Sequence, residues 1–348
     1  MKKASNATVG KTFREPGLWE TLREFLLGIR RPLDCIQVEV TTRCPGRCSY
    51  CPHTTMREQW RSRDMDMDTF SLLWPMMRRS SRVHLQGWGE PLLNPAFFDM
   101  AALARKAGCA VSTTTCGLHM NEEVAERLVE SGLDIVAFSL AGTDPATNAS
   151  RRGVDFDRVR EAVSILQTVR KSRMAVHMEI HLAYLLLASN MDAVRALPKL
   201  MNEFGVHAAV ISTLDYIPEP PLEAEGFAPH EAGKLEAASA LLRQAETEAK
   251  ALGFDFHWSL PRPDAPGLSC RENVARSIFV AADGTVSPCV YLNIPAGECD
   301  PHRVLFGNLH SKNPLEIWES EEFRRFRDRL ALGDPDPRCR TCVKRFEC

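Results

Sequence analysis

The stretch CPGRCSYCPH, residues 44–53, places three cysteines within eight positions, directly after the apolar, alternating run IQVEVTT. A closed structural zinc site takes four ligands, usually as two separated pairs. A cubane iron-sulfur cluster needs one thiolate per iron, so a cysteine triplet predicts a cluster with one iron open to a reactant. An incomplete zinc site and ordinary surface thiols are the alternatives.

Short apolar runs alternate with amphipathic runs from residue 36 onward. The predicted strands are IQVEVTT, RVHLQG, CAVSTTT, DIVAFSL, MAVHMEIHL and HAAVISTL, with helical patterns between them at 68–79, 95–107, 121–131, 156–171 and 191–204. Six strands with helical connections predict a parallel sheet covered by helices. The pattern fits a doubly wound open sheet and a full or partial barrel equally well. In each of these folds the chemistry lies at the carboxyl ends of the strands.

Composition excludes several classes of protein. The chain has 43 Lys and Arg against 45 Asp and Glu, which leaves no basic excess for nucleic acid. No apolar run approaches the roughly 18 residues of a membrane span, and the start MKKASNATVGKTF lacks the apolar segment of a secretory signal. We therefore expect a cytoplasmic protein with neither a membrane nor a nucleic-acid partner. In that compartment its 12 cysteines predict metal ligands or catalytic thiols rather than disulfides.

The strand-helix alternation stops near residue 217. The segment IPEPPLEAEGFAPHEAG is rich in proline and acidic residues and predicts a linker, and the residues after 254 contain six of the cysteines. The predicted organisation is an N-terminal extension at 1–34, a catalytic core at 35–217, a linker with a helix at 218–253, and a small metal-stapled domain at 254–348.

The spacing of the first triplet, C-x3-C-x2-C with Tyr50 before the last cysteine, resembles the signature of the radical S-adenosylmethionine (SAM) enzymes. The resemblance spans residues 36–348 and implies a partial (β/α)6 barrel of the TIM type. It also implies that Cys44, Cys48 and Cys51 hold a 4Fe-4S cluster whose open iron chelates SAM. In this family one electron splits SAM into methionine and a 5'-deoxyadenosyl radical, which abstracts a hydrogen atom from the substrate.

Three further stretches resemble the family's motifs in order. GWGEP at 87–91 is similar to its GGE motif, TTTCG is similar to TNG with Cys116 in place of Asn, and AFSLAG followed by SRRG resembles a Ser and an Arg that contact SAM. A glycine-rich turn lets backbone carbonyls approach an ammonium, and a guanidinium suits a carboxylate. For Cys116 we expect a small buried thiol; the alternatives for the Ser and the Arg are a capping role and a solvated position. The implied SAM contacts are Gly87, Trp88, Gly89, Glu90, Thr115, Ser139 and Arg152.

Polar and apolar residues alternate in the fifth predicted strand. Period-two geometry places His177, Glu179 and His181 on one face. If the apolar face meets the helices, the polar row faces the barrel interior and is a candidate for SAM or substrate contacts. Asp215 and Tyr216, near the end of the sixth strand, are candidates of the same standing. A structural hydrogen-bond network is an equally good interpretation.

The cysteines near the C-terminal end resemble the SPASM or shorter twitch extension of radical SAM enzymes, which holds one or two auxiliary 4Fe-4S clusters. We predict one auxiliary cluster, and Cys348 or Cys299 could replace one of its ligands. A zinc ribbon is the alternative. The simplest ligand set is Cys270, Cys289, Cys339 and Cys342.

The leading functional hypothesis is a radical SAM oxidoreductase acting on a small molecule or a peptide, with the auxiliary cluster aiding oxidation or substrate binding. The second hypothesis is a maturase that modifies a peptide, a protein or a metal cofactor, for example the cofactor of a tungsten-type oxidoreductase. A non-catalytic iron-sulfur scaffold or electron-transfer protein is the third. The run EEFRRFRDRLAL predicts either a solvated helix face or a docking face for an acidic reducing partner such as a flavodoxin or ferredoxin.

Overall fold

The computed structural model describes residues 32–262, 267–296 and 303–346. Most of the predicted N-terminal extension lies outside these ranges, as do Cys299 and Cys348. Among the described residues, no helix is both long enough and apolar enough to cross a bilayer.

Ten strands form one sheet in the described parts of the chain. They are β1 (Cys35–Val38), β2 (Arg82–Leu85), β3 (Ala110–Thr115), β4 (Ile135–Leu140), β5 (Glu179–Leu186), β6 (Ala208–Thr213), β7 (Asp255–Trp258), β8 (Ser277–Val280), β9 (Thr285–Ser287) and β10 (Gly307–Asn308). Their order in the sheet is β10-β9-β8-β1-β2-β3-β4-β5-β6-β7. The strands from β8 to β7 pair in parallel, whereas β9 pairs antiparallel with β8 and β10. The predicted parallel sheet is confirmed.

Helices cover one face of this sheet. They are α1 (Pro52–Thr55), α2 (Met67–Ser71), α3 (Trp74–Met77), α4 (Phe97–Lys106), α5 (Glu122–Glu130), α6 (Phe156–Ser172), α7 (Leu197–Phe204), α8 (Ala232–Ala251), α9 (Pro314–Trp318) and α10 (Glu321–Ala331). Short 3-10 segments lie at Arg57–Gln59, Pro91–Leu93, Ala188–Ala196, Pro220–Glu225, Val290–Leu292, Pro337–Cys339 and Val343–Arg345. The strand residues that face the helices are apolar and buried, as Val136, Phe138 and Leu140 illustrate on β4.

Helix starts follow local capping chemistry. The Asp155 side chain accepts hydrogen bonds from the first backbone N–H groups of α6, and Asn121 does the same for α5. Two predicted helices are divided near prolines: the run at 68–79 forms α2 and α3 with Pro75 in the first turn of α3, and the run at 191–204 changes from 3-10 to α-helix just before Pro198. Because proline lacks an N–H, it fits the first turn of a helix and not its interior.

The sheet curves into an open barrel. β7 and β8 belong to opposite arms of the sheet, yet His257 on β7 and Phe279 on β8 line the same internal cavity, which has a volume of about 640 Å³. The strand faces turned away from the helices form the wall of this cavity. The carboxyl ends of β1 to β6, where chemistry is expected in parallel folds, therefore converge above it.

Several strands differ from the sequence prediction. β7 is a seventh parallel strand, paired with β6, and β8 pairs with β1, so the sheet continues across the predicted domain boundary at residue 254. The fifth strand begins at Glu179, later than predicted, because a turn with Met174 at φ 51° precedes it. His177 lies in that exposed turn, at the amino end of the barrel.

Candidate functional site

The loop after β1 brings the three predicted cluster ligands together. A Cβ atom built on Gly46 would lie 3.5 Å from Cys44 Sγ and 3.7 Å from Cys48 Sγ, so both sulfurs flank this glycine. The Cys51 N–H donates to Cys48 O at 3.1 Å, which closes the turn. Burial raises the pKa of Cys44 to about 12 and that of Cys51 to about 11. The charge of Glu90 raises the pKa of Cys44 further, and the Cys48 thiol does the same for Cys51. Three partly buried thiols therefore converge at the carboxyl edge of the sheet.

The segment after β4 supports this loop through its backbone. The Arg47 N–H donates to Arg152 O at 2.7 Å, and the Ser49 N–H donates to Ser150 O at 2.9 Å. The SRRG stretch singled out in the sequence thus lies directly against the cysteine loop.

Arg151, which sequence reasoning passed over, is the arginine that points inward. It is 9% exposed, its guanidinium donates to Tyr50 OH at 3.1 Å, and its buried Nε has no hydrogen-bond partner. Burial alone disfavours its charged form, but interactions with Tyr50, Cys48 and Cys116 raise the pKa of Arg151 above its usual value. The predicted Arg152 is exposed at the surface and reaches this region only through its carbonyl oxygen. Adjacent arginines point in different directions, and the sequence alone does not show which one points inward.

The GWGEP loop after β2 packs closely against residues 39–43, which lead from β1 into the cysteine loop. It leaves no space for a side chain at Gly87 or Gly89. A Cβ atom on Gly87 would lie 2.4 Å from Glu39 Cβ, and one on Gly89 would lie 2.2 Å from Thr41 O. The Glu90 N–H donates to Arg43 O at 2.8 Å. At Gly89 glycine is required because two backbones approach closely, and at Gly87 because the Glu39 side chain occupies the space.

Glu90 joins the loops after β2 and β3. It is buried, and its carboxylate accepts hydrogen bonds from Thr115 Oγ1 and from the Cys116 N–H, both at 2.6 Å. Cys116 is buried, as predicted, and burial together with the Glu90 charge raises the pKa of its thiol. Ser139 is partly exposed on the inner face of β4, in register with Ala183 of β5. The structure therefore gathers all the predicted SAM contacts except the Arg152 side chain along one edge of the barrel.

Glu39 is a buried carboxyl that the sequence analysis missed. It is 0% exposed and accepts hydrogen bonds from the Trp88 N–H at 3.0 Å and from the Ala282 N–H at 3.4 Å. Burial raises the pKa of Glu39 to about 8. Its position on the alternating strand run IQVEVTT, where the inner face is polar, is the only signal that could have found it.

Asp215 and Tyr216, predicted near the site, lie at the junction with the C-terminal segment. Asp215 Oδ2 forms a buried ion pair with Lys344 Nζ at 2.7 Å and accepts a hydrogen bond from Tyr291 OH at 3.3 Å. Trp88 makes edge-to-face contacts with Tyr216 and Tyr291, both at 6.1 Å between ring centres. These residues connect the GWGEP loop to the C-terminal part of the chain.

The fifth-strand residues are divided by the structure. His181 lines the cavity, and its Nε2 lies 2.7 Å from Glu179 Oε2. This hydrogen bond lowers the pKa of Glu179 despite its partial burial. His177 is not brought to the cavity, because it lies in the exposed turn before β5.

The second group of cysteines lines one apolar pocket. Burial raises the pKa of all four thiols, and the negative charge of nearby groups, Glu272 for Cys270, Cys289 and Cys342 and the Cys342 thiol for Cys339, raises it further. Among the described residues, no three His, Cys, Asp or Glu side chains converge tightly enough to hold a single metal ion. The pocket is bounded by Phe326 and Leu330 of α10, and its cysteines are Cys270, Cys289, Cys339 and Cys342. The alternatives Cys348 and Cys299 fall outside the described residues.

Two family models match the chain. The radical SAM superfamily model matches residues 38–182, and the SPASM model, described as an iron-sulfur cluster-binding domain, matches residues 270–343. These matches confirm both resemblances stated from the cysteine spacings.

The relatives that match this chain over most of their length have low sequence identity to it. The chain is 23% identical over 330 residues to the tungsten-containing aldehyde ferredoxin oxidoreductase cofactor-modifying protein of Pyrococcus furiosus, covering 90% of this chain and 88% of that protein. It is 26% identical over 309 residues to the PqqA peptide cyclase of Ruegeria pomeroyi, covering 87% of this chain and 78% of the cyclase.

Among solved structures, Streptococcus suis SuiB bound to S-adenosylmethionine superposes with a TM-score of 0.67 at 13% identity, covering 94% of this chain and 74% of SuiB. SuiB bound to its precursor peptide SuiA gives a TM-score of 0.63 at 14% identity, with coverages of 100% and 79%. This likeness shows the fold.

The buried Glu39 predicts a pH dependence of stability. Its folded pKa, about 8, lies above the ordinary value of 4.5, so the folded state binds the proton more tightly than the unfolded state. Its contribution to stability is therefore fully present below about pH 4.5 and is lost as pH rises to about 8. We expect Glu39→Gln to flatten this part of the profile of thermal midpoint against pH, measured anaerobically on the cluster-loaded protein. Parallel profiles for the variant and the wild type would contradict it.

Proposed function

The chain belongs to the radical SAM superfamily and carries a SPASM iron-sulfur domain at its C-terminal end, and from this premise we propose that it oxidises a peptide held inside its barrel. It is an enzyme whose cofactors are 4Fe-4S clusters and SAM. When bound, these supply a 5'-deoxyadenosyl radical that abstracts a substrate hydrogen and, at the auxiliary site, an electron acceptor. The residues of the chain bind, orient and enclose the reactants.

We assign the SAM-binding cluster to Cys44, Cys48 and Cys51. Three thiols and no fourth cysteine in the same loop fit a cubane with one open iron. Their partial burial beside the cationic Arg151 suits a site that holds thiolates, because a buried charge needs a compensating partner.

We assign the auxiliary cluster to the four cysteines of the apolar pocket. The cluster is preferred to a zinc ribbon because the matching SPASM model, over residues 270–343, is that of an iron-sulfur cluster-binding domain. Four ligands and one pocket correspond to the single auxiliary cluster of a twitch-like arrangement.

SAM is proposed to bind along the edge formed by the loops after β2, β3 and β4. The proposed contacts keep the glycines of GWGEP, Glu90, Thr115 and Ser139, and replace Arg152 with Arg151. The orphaned Nε of Arg151 is a donor inside the protein, and a carboxylate is its natural acceptor. The close packing of Gly87 and Gly89 fixes the backbone that would receive the SAM ammonium.

One observation carries the proposed oxidation: the barrel cavity and the cysteine pocket share a wall. Glu272 and Cys289 line both spaces, and Cys289 is a proposed cluster ligand. A substrate in the barrel would therefore lie beside the auxiliary site on one side and below the SAM edge on the other. An electron-transfer protein or scaffold has no need for an internal cavity of about 640 Å³, a size typical of ligand sites.

A peptide substrate is supported by the relatives. The Ruegeria relative is a peptide cyclase, and the structurally similar SuiB was solved with a precursor peptide. The Pyrococcus relative, matched over 88% of its length, instead supports a second candidate, modification of a metal cofactor. Peptides encoded by neighbouring genes are the natural test substrates, since loss of hydrogens is visible by mass spectrometry. A modified small molecule as the product, instead of a modified peptide, would favour the second candidate, modification of a metal cofactor.

The reducing partner is proposed to be an acidic carrier such as a flavodoxin or ferredoxin, docking on α10. Arg324 and Arg325 are exposed on this helix, while Phe323, Phe326 and Leu330 hold its other face in the core. Glu321, Glu322 and Asp328 are also exposed on this helix, so docking would rest on the arginine pair itself. Phe326 and Leu330 bound the cysteine pocket, so the helix that carries the pair lies against the proposed cluster. We also propose a cytoplasmic location, because a reducing compartment keeps the thiols available as ligands.

The two cluster assignments predict the iron content. Anaerobically reconstituted protein should hold about eight iron per chain, falling to about four when Cys44, Cys48 and Cys51 are replaced by Ala. With dithionite and SAM, the wild type should form 5'-deoxyadenosine and the triple variant should not, measured by liquid chromatography.

A matched variant tests the second site. Cys339→Ala combined with Cys342→Ala should also lower the iron content to about four per chain. Wild-type protein that forms no more 5'-deoxyadenosine than the first triple variant would reject the enzyme and favour the scaffold.

If Arg151 contacts SAM, replacing Arg151 and replacing Arg152 should have different effects on SAM affinity. Loss of a charge-assisted hydrogen bond costs about 1.5–3 kcal/mol, so Arg151→Met should weaken SAM binding roughly tenfold or more. Arg151→Lys should restore part of the affinity, and Arg152→Met should bind SAM like the wild type. Equilibrium dialysis with the reconstituted protein measures this. Equal losses in the two Met variants would contradict the assignment.

The docking face predicts a salt-dependent reduction rate. Reduction by flavodoxin should slow steeply as salt is added, and Arg324→Glu with Arg325→Glu should lower the low-salt rate about tenfold. Arg158→Glu combined with Arg160→Glu, which reverses two exposed arginines on α6, is the charge-matched control. Stopped-flow absorbance measures the rate, and a rate independent of salt would remove the docking proposal.

A further inference from the structure

A histidine and a carboxylate on β5 form a bonded pair in the wall of the barrel cavity. His181 lines the cavity, and its Nε2 lies 2.7 Å from Glu179 Oε2. The residues in register with His181 on β4 and β6 are both alanine, Ala137 and Ala208. The imidazole is therefore held by its bond to the carboxylate and has small neighbours on both adjacent strands.

This bond determines which nitrogen of His181 is able to accept a proton. An ionised carboxylate only accepts hydrogen bonds, so the neutral ring carries its hydrogen on Nε2 and has a lone pair on Nδ1. In the described part of the chain Nδ1 has no hydrogen-bond partner, and it is not one of the fully enclosed unpartnered atoms, so it has accessible surface. A molecule in the cavity can therefore reach this basic nitrogen.

The surroundings of Glu179 favour its ionised form. The hydrogen bond from His181 lowers the pKa of Glu179, and the charge of the Arg170 guanidinium lowers it further. Arg170 belongs to α6, and its Nη2 lies 2.9 Å from His207 Nε2. A carboxylate that bonds one ring nitrogen stabilises the imidazolium that forms when the other nitrogen takes a proton. Glu179 thus suits a positioning role, and His181 suits the role of a base.

The other two histidines of the cavity wall lack this arrangement. Both ring nitrogens of His84 are bonded, Nδ1 to Ser112 Oγ at 2.8 Å and Nε2 to Gln86 Oε1 at 3.2 Å. His257 Nε2 is enclosed without a partner, and among the described residues no carboxylate bonds the His257 ring. The carboxylate-bound histidine with an accessible nitrogen is His181.

His181 lies below the proposed SAM edge and shares its cavity with the auxiliary site. Ala183, two residues further along β5, is in register with Ser139, a proposed SAM contact. His181 is therefore about 6–7 Å below the level of Ser139, from the rise of a strand per residue. Cys289, a proposed ligand of the auxiliary cluster, lines the same cavity. A substrate carbon below the SAM edge would have both a base and an electron acceptor in the cavity wall.

We propose that His181, oriented by Glu179, accepts the proton that the substrate loses during its oxidation. Removal of a hydrogen atom leaves a carbon radical next to an O–H, N–H or S–H group. The bond between the heteroatom and its hydrogen then breaks: the proton goes to His181 Nδ1, the electron goes to the auxiliary cluster, and a double bond forms between carbon and the heteroatom. This inference rests on the proposed function, because it names the base of the same oxidation.

His181→Gln tests the role, because the amide keeps a donor for Glu179 and has no basic nitrogen. Hydrogen abstraction precedes the proton transfer, so the variant should form 5'-deoxyadenosine at about the wild-type rate. Since a general base contributes roughly 10²–10⁴-fold, the oxidised peptide formed per 5'-deoxyadenosine should fall at least about tenfold. The assay uses the peptide from neighbouring genes that loses hydrogens by mass spectrometry. An unchanged ratio, or an equal loss of both products, would overturn the proposal.

Two further variants separate the pair from the rest of the cavity. Glu179→Gln removes the carboxylate that orients the ring and should also lower the ratio of oxidised peptide to 5'-deoxyadenosine; it decides the question if His181→Gln does not load its clusters. His257→Gln changes another histidine of the cavity wall and should keep the wild-type ratio. A wild-type ratio in Glu179→Gln, or an equal fall in His257→Gln, would contradict the assignment.

A binding probe tests the accessible nitrogen without SAM cleavage. Para-fluorophenol donates a hydrogen bond, whereas para-fluoroanisole does not. In fluorine NMR titrations of the anaerobic, cluster-loaded protein, para-fluorophenol should bind about fivefold more weakly to His181→Phe than to the wild type, with para-fluoroanisole unaffected. His177→Phe, at the exposed histidine before β5, is the matched control. Equal affinity of para-fluorophenol for the wild type and His181→Phe would overturn the inference.

The two proposals can fail separately. A protein that forms no 5'-deoxyadenosine but binds para-fluorophenol through His181 would reject the proposed function and keep the accessible acceptor nitrogen. A protein that oxidises its peptide with an unchanged product ratio in His181→Gln would keep the proposed function and reject the inference.

Discussion

The close approach of two backbones at Gly89 is the constraint on which the site depends. The α-carbon of this glycine lies so close to Thr41 O that a side chain has no space. This contact holds the loop after β2 against the cysteine loop. Glu90 then holds the loop after β3, because its two carboxylate oxygens accept hydrogen bonds from Thr115 and Cys116. Loops that would otherwise move independently are fixed at one edge, which is the preorganisation that radical chemistry requires.

Curvature of the sheet is the second determinant, because it brings the C-terminal segment to the barrel. β8 pairs with β1 and carries the cysteine pocket to the side of the cavity, where Cys289 forms part of the wall. The buried ion pair between Asp215 and Lys344 fastens the end of the chain to the end of β6. Removing one member of such a pair leaves an uncompensated buried charge, at a cost of about 3–5 kcal/mol. Asp215 thus has a structural partner, although its position after a strand suggested a reactive group.

The sequence predicts those features that depend on local pattern. The cysteine spacings and the alternation of strands and helices are local patterns, and they predicted the fold. The GWGEP glycines were recognised by their local motif, although they act through the tertiary contacts with Glu39 and Thr41. The features it did not predict depend on tertiary contacts. β7 has only four residues and is recognisable only by its pairing with β6. The choice between Arg151 and Arg152 depends on which side chain turns inward, and the burial of Glu39 depends on Ala282, far away in the sequence.

The central claim is that the first cysteine triplet holds a cluster with an iron open to SAM. Its most direct test is electron paramagnetic resonance of the reduced protein with and without SAM, with the auxiliary cysteines replaced so that one cluster contributes. SAM should change the spectrum, and SAM labelled with nitrogen-15 in its amino group should show a hyperfine coupling to the cluster. An unchanged spectrum without coupling would mean that no iron is open to SAM, and the account would be wrong.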